Sequence, residues 1–440
     1  MDAINEERHS GSLGAADQRL LLVSIDAHVG PPFEAYRQYC PKEYLGDFDE
    51  FKKAHAAGKV DGLPTALGEQ IITSFTDGTK KGFANLLAQE LIHYDPHAAL
   101  QTMDADGVAA EAVYHGAING NPIPFLGDAV FGAGHAYAKG SRYAELARAG
   151  IRMYNRWLAD YCSVAPERLI GLAQLPMWDP DLAAAEAEFA RGAGLRGLNF
   201  PAPRKEFPDF NDPAWEPLWS AAESLGMPLN THGGSSLAVK DVGEYSSAGS
   251  VFVLTYDLIL FSRRAVPFMI FGGVFERHPG LRLVLTEQPA EWVEATLRDL
   301  DGLWNWNRYK RSIPRPPSEY FRQNCLIGGS FMSNAEAKSA VQQGLTNNVM
   351  WGRDFPHLEG TWPFTRLSLR KTMEGIEPPA IQRILGGNAL DVFGLDAAAL
   401  TALSGKIGPT LGEVMTPLVP DDLPEDAKWT MAFRGATAWS

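Results

Sequence analysis

Eight short apolar segments, each followed by a stretch with helical periodicity, constrain the fold of this chain more than any other feature. Segments such as Leu281–Glu287 and Asn348–Asp354 have the length and aliphatic content of buried parallel strands. Eight such units over roughly 370 residues predict an α/β protein with a (β/α)8 TIM barrel. A doubly wound sheet is the alternative, but no Gly-rich dinucleotide turn follows the first strand. The expected strands cover 20–28, 111–115, 169–174, 195–200, 227–232, 281–287, 324–328 and 348–354.

Three segments fall outside this alternation. Residues 1–18 read as a polar leader, a long insertion at 33–90 follows the first strand, and an extension with several prolines spans 396–440. The barrel is therefore expected over 19–395. Long insertions normally cover a site or build a contact between subunits. We expect the extension to lie on the barrel or on a neighbouring subunit, and the protein to form a homo-oligomer, as a dimer or a larger assembly.

The formal net charge of −14 is spread along the chain without a basic stripe, which argues against nucleic acid as a partner. Cys40, Cys162 and Cys325 are far apart and show neither a disulfide framework nor a zinc-binding spacing, as suits a reducing cytoplasm. The sequence has no secretion signal and no apolar run long enough to span a membrane. It predicts a soluble, cytoplasmic protein with no membrane partner.

Polar residues stand at the carboxyl ends of several expected strands, which meet at one mouth in a TIM barrel. Asp26 and His28 are two residues apart, so an extended chain directs both side chains to one face. A carboxylate and imidazoles that share a site can bind a divalent metal. Each residue alone also has a structural explanation, such as a capping aspartate or a hydrogen-bonded histidine. The converging set is Asp26, His28, His115, His232, Glu287 and Asp354.

Other residues near the expected mouth are candidates for contact with a small-molecule substrate. His357 lies in the loop after strand 8, and Arg204 follows strand 4, where it could clamp a carboxylate or simply lie on the surface. Trp178 and Phe200, at the ends of strands 3 and 4, could wall a pocket for a ring, although barrel packing explains them equally well. His278 precedes strand 6 and is therefore expected at the opposite end of the barrel, in a structural role.

Five motifs resemble those of the amidohydrolase-2 (amidohydrolase-related) family, which contains the aminocarboxymuconate-semialdehyde and resorcylate-type decarboxylases. They occur in the family's order between residue 20 and about residue 395. The resemblance implies a metal-dependent barrel with Asp26, His28, His232 and Asp354 as ligands. The motifs are Asp26-x-His28, Leu-Asn-Thr-His-Gly-Gly at 229–234, Val-Phe-Glu-Arg-His-Pro-Gly-Leu-Arg at 274–282, Trp-Gly-Arg-Asp-Phe-Pro-His at 351–357 and Ile-Leu-Gly-Gly-Asn-Ala at 384–389.

Two departures from the family pattern bear on the chemistry. Binuclear members of the wider superfamily use a carboxylated lysine at strand 4, and strand 4 here has none, so we expect one divalent metal ion. Zinc is the expected ion and manganese the alternative, since both suit histidine and carboxylate ligands. The family's decarboxylases carry a catalytic histidine at the tip of strand 6, where this chain has Glu287. This difference counts against decarboxylation.

The expected activity is therefore hydrolysis of an amide, ester or related bond in a small, cyclic or aromatic substrate. A metal-bound water loses its proton near neutral pH, and Asp354 would accept that proton and pass it to the leaving group. His115, Glu287 or His357 would orient or protonate the substrate. The alternative is a non-oxidative decarboxylase of a small aromatic or unsaturated acid. A third hypothesis is a barrel that binds a small molecule without turnover, which predicts no bound metal.

Overall fold

The structure is a computed structural model. It describes residues 15–57, 89–126, 140–203, 207–233, 247–306, 311–357, 359–423 and 431–433. Most of the expected leader, and residues 58–88 of the expected insertion, therefore lie outside the described residues.

Eight parallel strands follow one another in chain order through a single sheet. Hydrogen bonds continue from the last strand to the first, because the Asp354 N–H donates to the Asp26 carbonyl at 3.1 Å. The His28 N–H also donates to the Phe355 carbonyl, at 2.6 Å. The sheet is a nearly closed barrel, and the predicted TIM-barrel fold is confirmed. The strands are β1 Leu22–Val29, β2 Val108–His115, β3 Leu169–Gln174, β4 Gly197–Asn199, β5 Leu229–His232, β6 Leu283–Thr286, β7 Cys325–Ser330 and β8 Val349–Gly352.

Helices surround the barrel, and several begin at side-chain caps that the sequence encodes. Asp95, Ser141 and Asp179 each accept a hydrogen bond from a backbone N–H in the first turn of the helix that follows. In the described part of the chain, no helix is both long and apolar enough to cross a bilayer. The α-helices are Phe33–Tyr36, Leu45–Ala56, Pro96–Asp106, Arg142–Ser163, Pro180–Gly192, Glu216–Leu225, Ser250–Ser262, Ala265–Phe271, Val274–Arg277, Trp292–Trp306, Pro317–Asn324, Asn334–Gln342, Thr365–Thr372, Pro378–Gln382, Asn388–Phe393, Ala397–Ile407 and Leu411–Met415.

Apolar side chains form two main layers, one inside the barrel and one between the strands and the helices. Alternate residues of a strand point to opposite faces, so each strand contributes to both layers. On β2, Ala110, Ala112 and Tyr114 belong to the inner layer, whereas Val113 belongs to the outer one. The inner layer fills the barrel below the mouth, so polar groups at the strand tips rest on a packed floor.

The extension after residue 395 packs on this same barrel. Leu400, on the helix Ala397–Ile407, joins the inner layer of the barrel. The chain then runs beside the segment that leads into β1, where the Leu20 N–H donates to the Pro409 carbonyl and the Leu411 N–H to the Gln18 carbonyl. The extension thus lies at the end of the barrel where the strands begin, opposite the mouth.

Candidate metal centre and active site

β1 brings Asp26 and His28 to the mouth through an irregular stretch. Between Ser24 and Ala27 the strand has one residue more than β2 opposite it, which is a β-bulge. The Ser24 hydroxyl stabilises the bulge, because it donates to the Asp26 carbonyl at 2.8 Å and accepts from the Asp26 N–H at 3.3 Å. Asp26 and His28 consequently face the same space at the mouth.

Two imidazoles point the same nitrogen at one carboxylate oxygen. Nε2 of His28 lies 3.1 Å from Oδ1 of Asp26, and Nε2 of His232 lies 3.2 Å from that same oxygen. Each ring is held from behind at Nδ1, His28 by the His115 carbonyl at 3.3 Å and His232 by the Gly233 carbonyl at 2.5 Å. When Nδ1 donates to a carbonyl, the lone pair remains on Nε2, which is the tautomer that binds metals.

Asp354, at the tip of β8, completes the group. Its Oδ1 lies 3.3 Å from Nε2 of His28 and 3.0 Å from Nδ1 of His357. Its Oδ2 is buried and has no hydrogen-bond partner in the described part of the chain. Asp354 also has a positive φ of 52°, which is uncommon outside glycine and is found at functional sites. The structure therefore brings together the four residues that the family resemblance implied as ligands.

Asp26 and the two histidines stabilise one another's charged forms. Burial opposes ionisation of Asp26, but His232 and His28 outweigh it, so the pKa of Asp26 lies below its ordinary value. Burial lowers the pKa of His28 and of His232, whereas contact with Asp26 raises it, and the net pKa of both histidines is raised. In the absence of a cation, the carboxylate of Asp26 and the two imidazoles are thus held as ion pairs.

Small residues leave the room that this group needs. A Cβ on Gly352 would lie 2.9 Å from Cβ of Asp26, and a Cβ on Gly233 would lie 2.4 Å from Oε2 of Glu287. Ser330, at the end of β7, donates a hydrogen bond to Oδ2 of Asp26. Close neighbours therefore fix the carboxylate of Asp26. A larger side chain at position 352 would displace it.

A buried arginine supports the tip of β8. Arg353 is fully buried, and its guanidinium contacts Glu111 of β2 at 2.7 Å and Asp106 of the helix Pro96–Asp106 at 3.1 Å. The backbone N–H of Arg353 donates to the hydroxyl of Ser24 at 2.9 Å. This is the same hydroxyl that stabilises the bulge of β1. This network joins the segments that carry Asp26 and Asp354, and the sequence patterns gave no sign of it.

Three acidic side chains crowd the rim beside the metal-ligand candidates. One carboxylate oxygen each of Glu287, Asp354 and Glu359 lies within 4.8 Å of the other two. Glu287, at the tip of β6, has a positive φ of 58°, and its Oε2 lies 3.5 Å from Nδ1 of His232. Burial and the nearby Asp354 raise the pKa of Glu287 to about 8, although His232 opposes this. Glu359 was not identified in the sequence, because it lies in a loop without periodicity.

Tyr114 forms the floor under the two histidines and was not identified from the sequence. Its ring stacks on His28 at 5.7 Å between centroids and meets the edge of His232 at 4.9 Å. Its hydroxyl shares a 2.7 Å hydrogen bond with Thr286, across the barrel on β6. Tyr114 has the same parity along β2 as the inward-facing Ala110 and Ala112, which is the signal that could have identified it.

Two predicted site residues lie elsewhere, because each points to the outer side of its strand. The ring of His115 packs against Tyr154, at 5.1 Å, and burial lowers the pKa of this imidazole to about 3. His115 is therefore a neutral side chain behind the barrel wall, and only its carbonyl meets the site. The ring of Phe200 is buried against Phe210 at 4.4 Å and Trp219 at 5.6 Å, in the outer layer.

The remaining candidates have mixed placements. His357 lies at the mouth, where it stacks on His28 at 4.1 Å and donates from Nε2 to the Gly116 carbonyl at 3.0 Å. Trp178 is half-buried against the outer apolar layer. Arg204 lies outside the described residues. His278 bonds Glu216 and Glu223 at 3.0 and 2.9 Å in the structural role expected of it.

The donor set fits a divalent cation. Two imidazole nitrogens and two carboxylates offer the ligands that zinc and manganese accept, and three of the four residues have ligand atoms within 4.8 Å of one another. The unpartnered Oδ2 of Asp354 and the shared approach of both Nε2 atoms to Asp26 are arrangements that a cation would satisfy. The geometry thus supports a metal centre at this end of the barrel.

Comparison with curated proteins finds decarboxylases. Gamma-resorcylate decarboxylase from Rhodococcus jostii (strain RHA1) is 26% identical over 228 residues, which are 47% of this chain and 65% of the relative. The match thus spans just under two thirds of that relative's length. The 2-amino-3-carboxymuconate-6-semialdehyde decarboxylase of Dictyostelium discoideum is 24% identical over 310 residues, which are 69% of this chain and 77% of the relative.

Solved structures share the fold. The 5-carboxyvanillate decarboxylase of Sphingomonas paucimobilis superposes with a TM-score of 0.60 and 22% identity, over 86% of this chain and all of that one. A dihydroxybenzoic acid decarboxylase from Polaromonas sp. JS666, with bound manganese and the inhibitor 2-nitroresorcinol, gives a TM-score of 0.58 and 17% identity, over 87% and 99%. The amidohydrolase family model matches residues 92–395, more than half of the sequence. The chain belongs to the amidohydrolase family.

Proposed function

We propose that this protein is a metal-dependent, non-oxidative decarboxylase of a small, hydroxy-substituted aromatic acid. The observation that carries the proposal is the approach of Nε2 of both His28 and His232 to one oxygen of Asp26, with Asp354 beside them. The relatives named above are decarboxylases, most of them of aromatic acids. They favour the alternative drawn from the sequence over hydrolysis, which no comparison specifically supports.

Asp26, His28, His232 and Asp354 would hold one divalent ion. Manganese is the ion bound in the Polaromonas decarboxylase, which favours it over the zinc expected from the sequence. When bound, the ion supplies positive charge that attracts the carboxylate and the adjacent hydroxyl of the substrate.

The protein's own part in the reaction centres on Glu287. The bond between the ring carbon and the carboxylate breaks, carbon dioxide leaves, and the electron pair stays on the ring carbon. That carbon then takes a proton from the carboxyl group of Glu287, which lies at the rim beside His232. Water at the mouth returns the proton to Glu287, so that atoms and charge balance over one turnover. Glu287 thus fills the role that a histidine has at this position in the family's decarboxylases.

His357 and Tyr114 hold the framework in which this transfer takes place. His357 is fixed between Asp354 and the Gly116 carbonyl, and its ring covers one face of His28. Tyr114 supports His28 and His232 from below. Because these rings leave little freedom, the substrate would meet a preorganised site rather than a mobile one.

The test is turnover of hydroxybenzoates by the manganese-loaded and the zinc-loaded enzyme, followed by carbon dioxide release. In deuterated water the product should carry one deuterium at the carbon that lost the carboxylate. Glu287→Gln should lower kcat by roughly 10²–10⁴-fold, as expected when a proton donor is lost. The matched control is Glu413→Gln. Glu413 lies in the extension and forms a partly exposed ion pair with Arg366, so this change should leave kcat unchanged.

Hydrolysis gives a different result in the same experiment. Incorporation of labelled oxygen from water into an amide or ester substrate, without release of carbon dioxide from any hydroxybenzoate, would contradict the decarboxylase assignment. Absence of any stoichiometric metal in protein prepared with manganese and zinc present would contradict both enzymatic hypotheses.

A further inference from the structure

Glu359 is an acidic side chain at the mouth that the proposed reaction does not use. Its carboxylate is four-fifths buried yet reaches the rim, and its Oε1 lies 4.0 Å from Nδ1 of His357. One of its oxygens lies within 4.8 Å of both Glu287 and Asp354. The side chain therefore borders the space in which a substrate held beside Asp354 would lie.

The turn that carries Glu359 is tightly built. The Gly360 N–H donates to the His357 carbonyl at 3.2 Å, and the Thr361 N–H donates to the Arg353 carbonyl at 2.9 Å. A Cβ on Gly360 would lie 2.6 Å from the carbonyl oxygens of both Arg353 and Asp354, which only glycine avoids. The backbone thus holds Glu359 at a fixed place relative to the tip of β8.

The carboxylate of Asp354, which lies next to that of Glu359, could still accept a bond from a ligand. Oδ2 of Asp354 is fully buried and has no hydrogen-bond partner among the described residues. Buried polar atoms normally have partners. A cation and a substrate group next to Asp354 would satisfy it, and Glu359, which has an oxygen within 4.8 Å of Asp354, would border that group.

We propose that Glu359 determines which substituent the substrate carries: its carboxylate accepts a hydrogen bond from a hydroxyl or amino group on the ring and disfavours a second carboxylate. This inference rests on the decarboxylase function proposed above. Like charges that face each other in a partly buried site weaken binding, whereas a charged acceptor strengthens a donated hydrogen bond. The substrate class is therefore a monocarboxylic hydroxybenzoate with a further hydroxyl or amino group.

The experiment compares ligands that differ only in this substituent. Binding to the manganese-loaded enzyme is measured by the relaxation of water protons, with salicylate as the reference. The donor ligands are 4- and 5-aminosalicylate, and the acidic ligands are 2-hydroxyterephthalate and 4-hydroxyisophthalate. We expect the better donor to bind at least about tenfold more tightly than the better acid.

Variants of Glu359 then assign the preference. Glu359→Gln keeps the size but removes the charge, and we expect the ratio of the two affinities to fall to about one. Glu359→Lys should reverse the ratio. Glu413→Gln is again the control and should preserve the wild-type ratio, and thermal unfolding confirms that each variant is folded.

Failure of the proposed function and failure of the role of Glu359 give different results in these experiments. If salicylate shows no manganese-dependent binding and no carbon dioxide is released, the proposed function fails, and this inference fails with it. If salicylate binds but the wild-type enzyme does not discriminate between the two ligand classes, Glu359 has no such role. The same conclusion follows if the ratio in Glu359→Gln equals that of the wild type.

Discussion

Asp26 and His232 lie 206 residues apart in the chain, yet Oδ1 of the first is 3.2 Å from Nε2 of the second. They stand on β1 and β5, which are diametrically opposite in an eight-stranded barrel. Only a closed barrel can bring these two tips together, so the contact depends on the whole sheet and not on any local motif. A change that separates β1 from β8 should therefore move Asp26 away from His232.

Removal of His232 should abolish metal binding. His232→Ala takes away one of two imidazole ligands, and we expect a loss of affinity for manganese or zinc greater than the roughly 10–100-fold typical of losing an outer partner of a ligand. Metal content after dialysis measures this. His278→Gln, which removes a histidine at the other end of the barrel, should keep its metal. Equal metal content in both variants would exclude His232 as a ligand.

Arg353 should be important for stability. In Arg353→Met, the carboxylates of Glu111 and Asp106 stay buried without their partner, and breaking a buried ion pair in this way costs about 3–5 kcal/mol of unfolding free energy. Urea denaturation measures the change. Arg383→Ala, which removes an exposed pair with Asp391, should cost less than about 1 kcal/mol. Similar unfolding free energies for the two variants would show that the buried network is not stabilising.

Gly352 should tolerate no side chain. Gly352→Ala places a methyl group 2.9 Å from Cβ of Asp26, so either the strand or the carboxylate must shift, at a cost of about 1–3 kcal/mol. We also expect weaker metal binding, because Asp26 would leave its position. Gly405→Ala is the matched control, since nothing lies within 4 Å of the added Cβ. Titration with manganese and urea denaturation of both variants check the two effects.

Metal binding should strengthen as the pH rises. The pKa values of His28 and His232 are raised in the metal-free protein, so both imidazoles tend to carry a proton that a metal must displace. The pKa of Asp26 is lowered, so this carboxylate releases no proton near neutral pH. Affinity should increase with pH until both histidines are neutral, and proton release should show in calorimetry in buffers of different ionisation enthalpy. A pH-independent affinity would contradict this charge state.

The sequence predicted the barrel well, because the fold depends on the order and spacing of the strands. The strand tips gave six candidates, and the family resemblance singled out the four that the structure places close together. Prediction from the sequence failed where the face of a strand mattered. His115 and Phe200 were expected at the site, but the alternation of faces along each strand turns them outward and brings Tyr114 inward. The bulge in β1 changes this alternation within one strand, and no residue type announces it.

Contacts between segments that are far apart in the chain could also not be predicted from the sequence. Arg353 contacts Glu111 and Asp106, which lie more than 240 residues before it in the chain. Glu359 reaches the rim through a turn whose shape depends on Gly360 and on the carbonyls beneath it. Neither relationship has a periodicity or spacing that a pattern could reveal.

The helix Ala397–Ile407 has a consequence for how the enzyme can be divided. The match to the family model stops at residue 395, yet Leu400 fills the inner layer at the base of the barrel. A shortened protein that ended with the recognisable family region would expose that layer to water and lose the partner of the segment entering β1. The segment needed for folding is therefore longer than the segment that matches the family model. A truncated protein should precipitate or unfold before its activity could be measured.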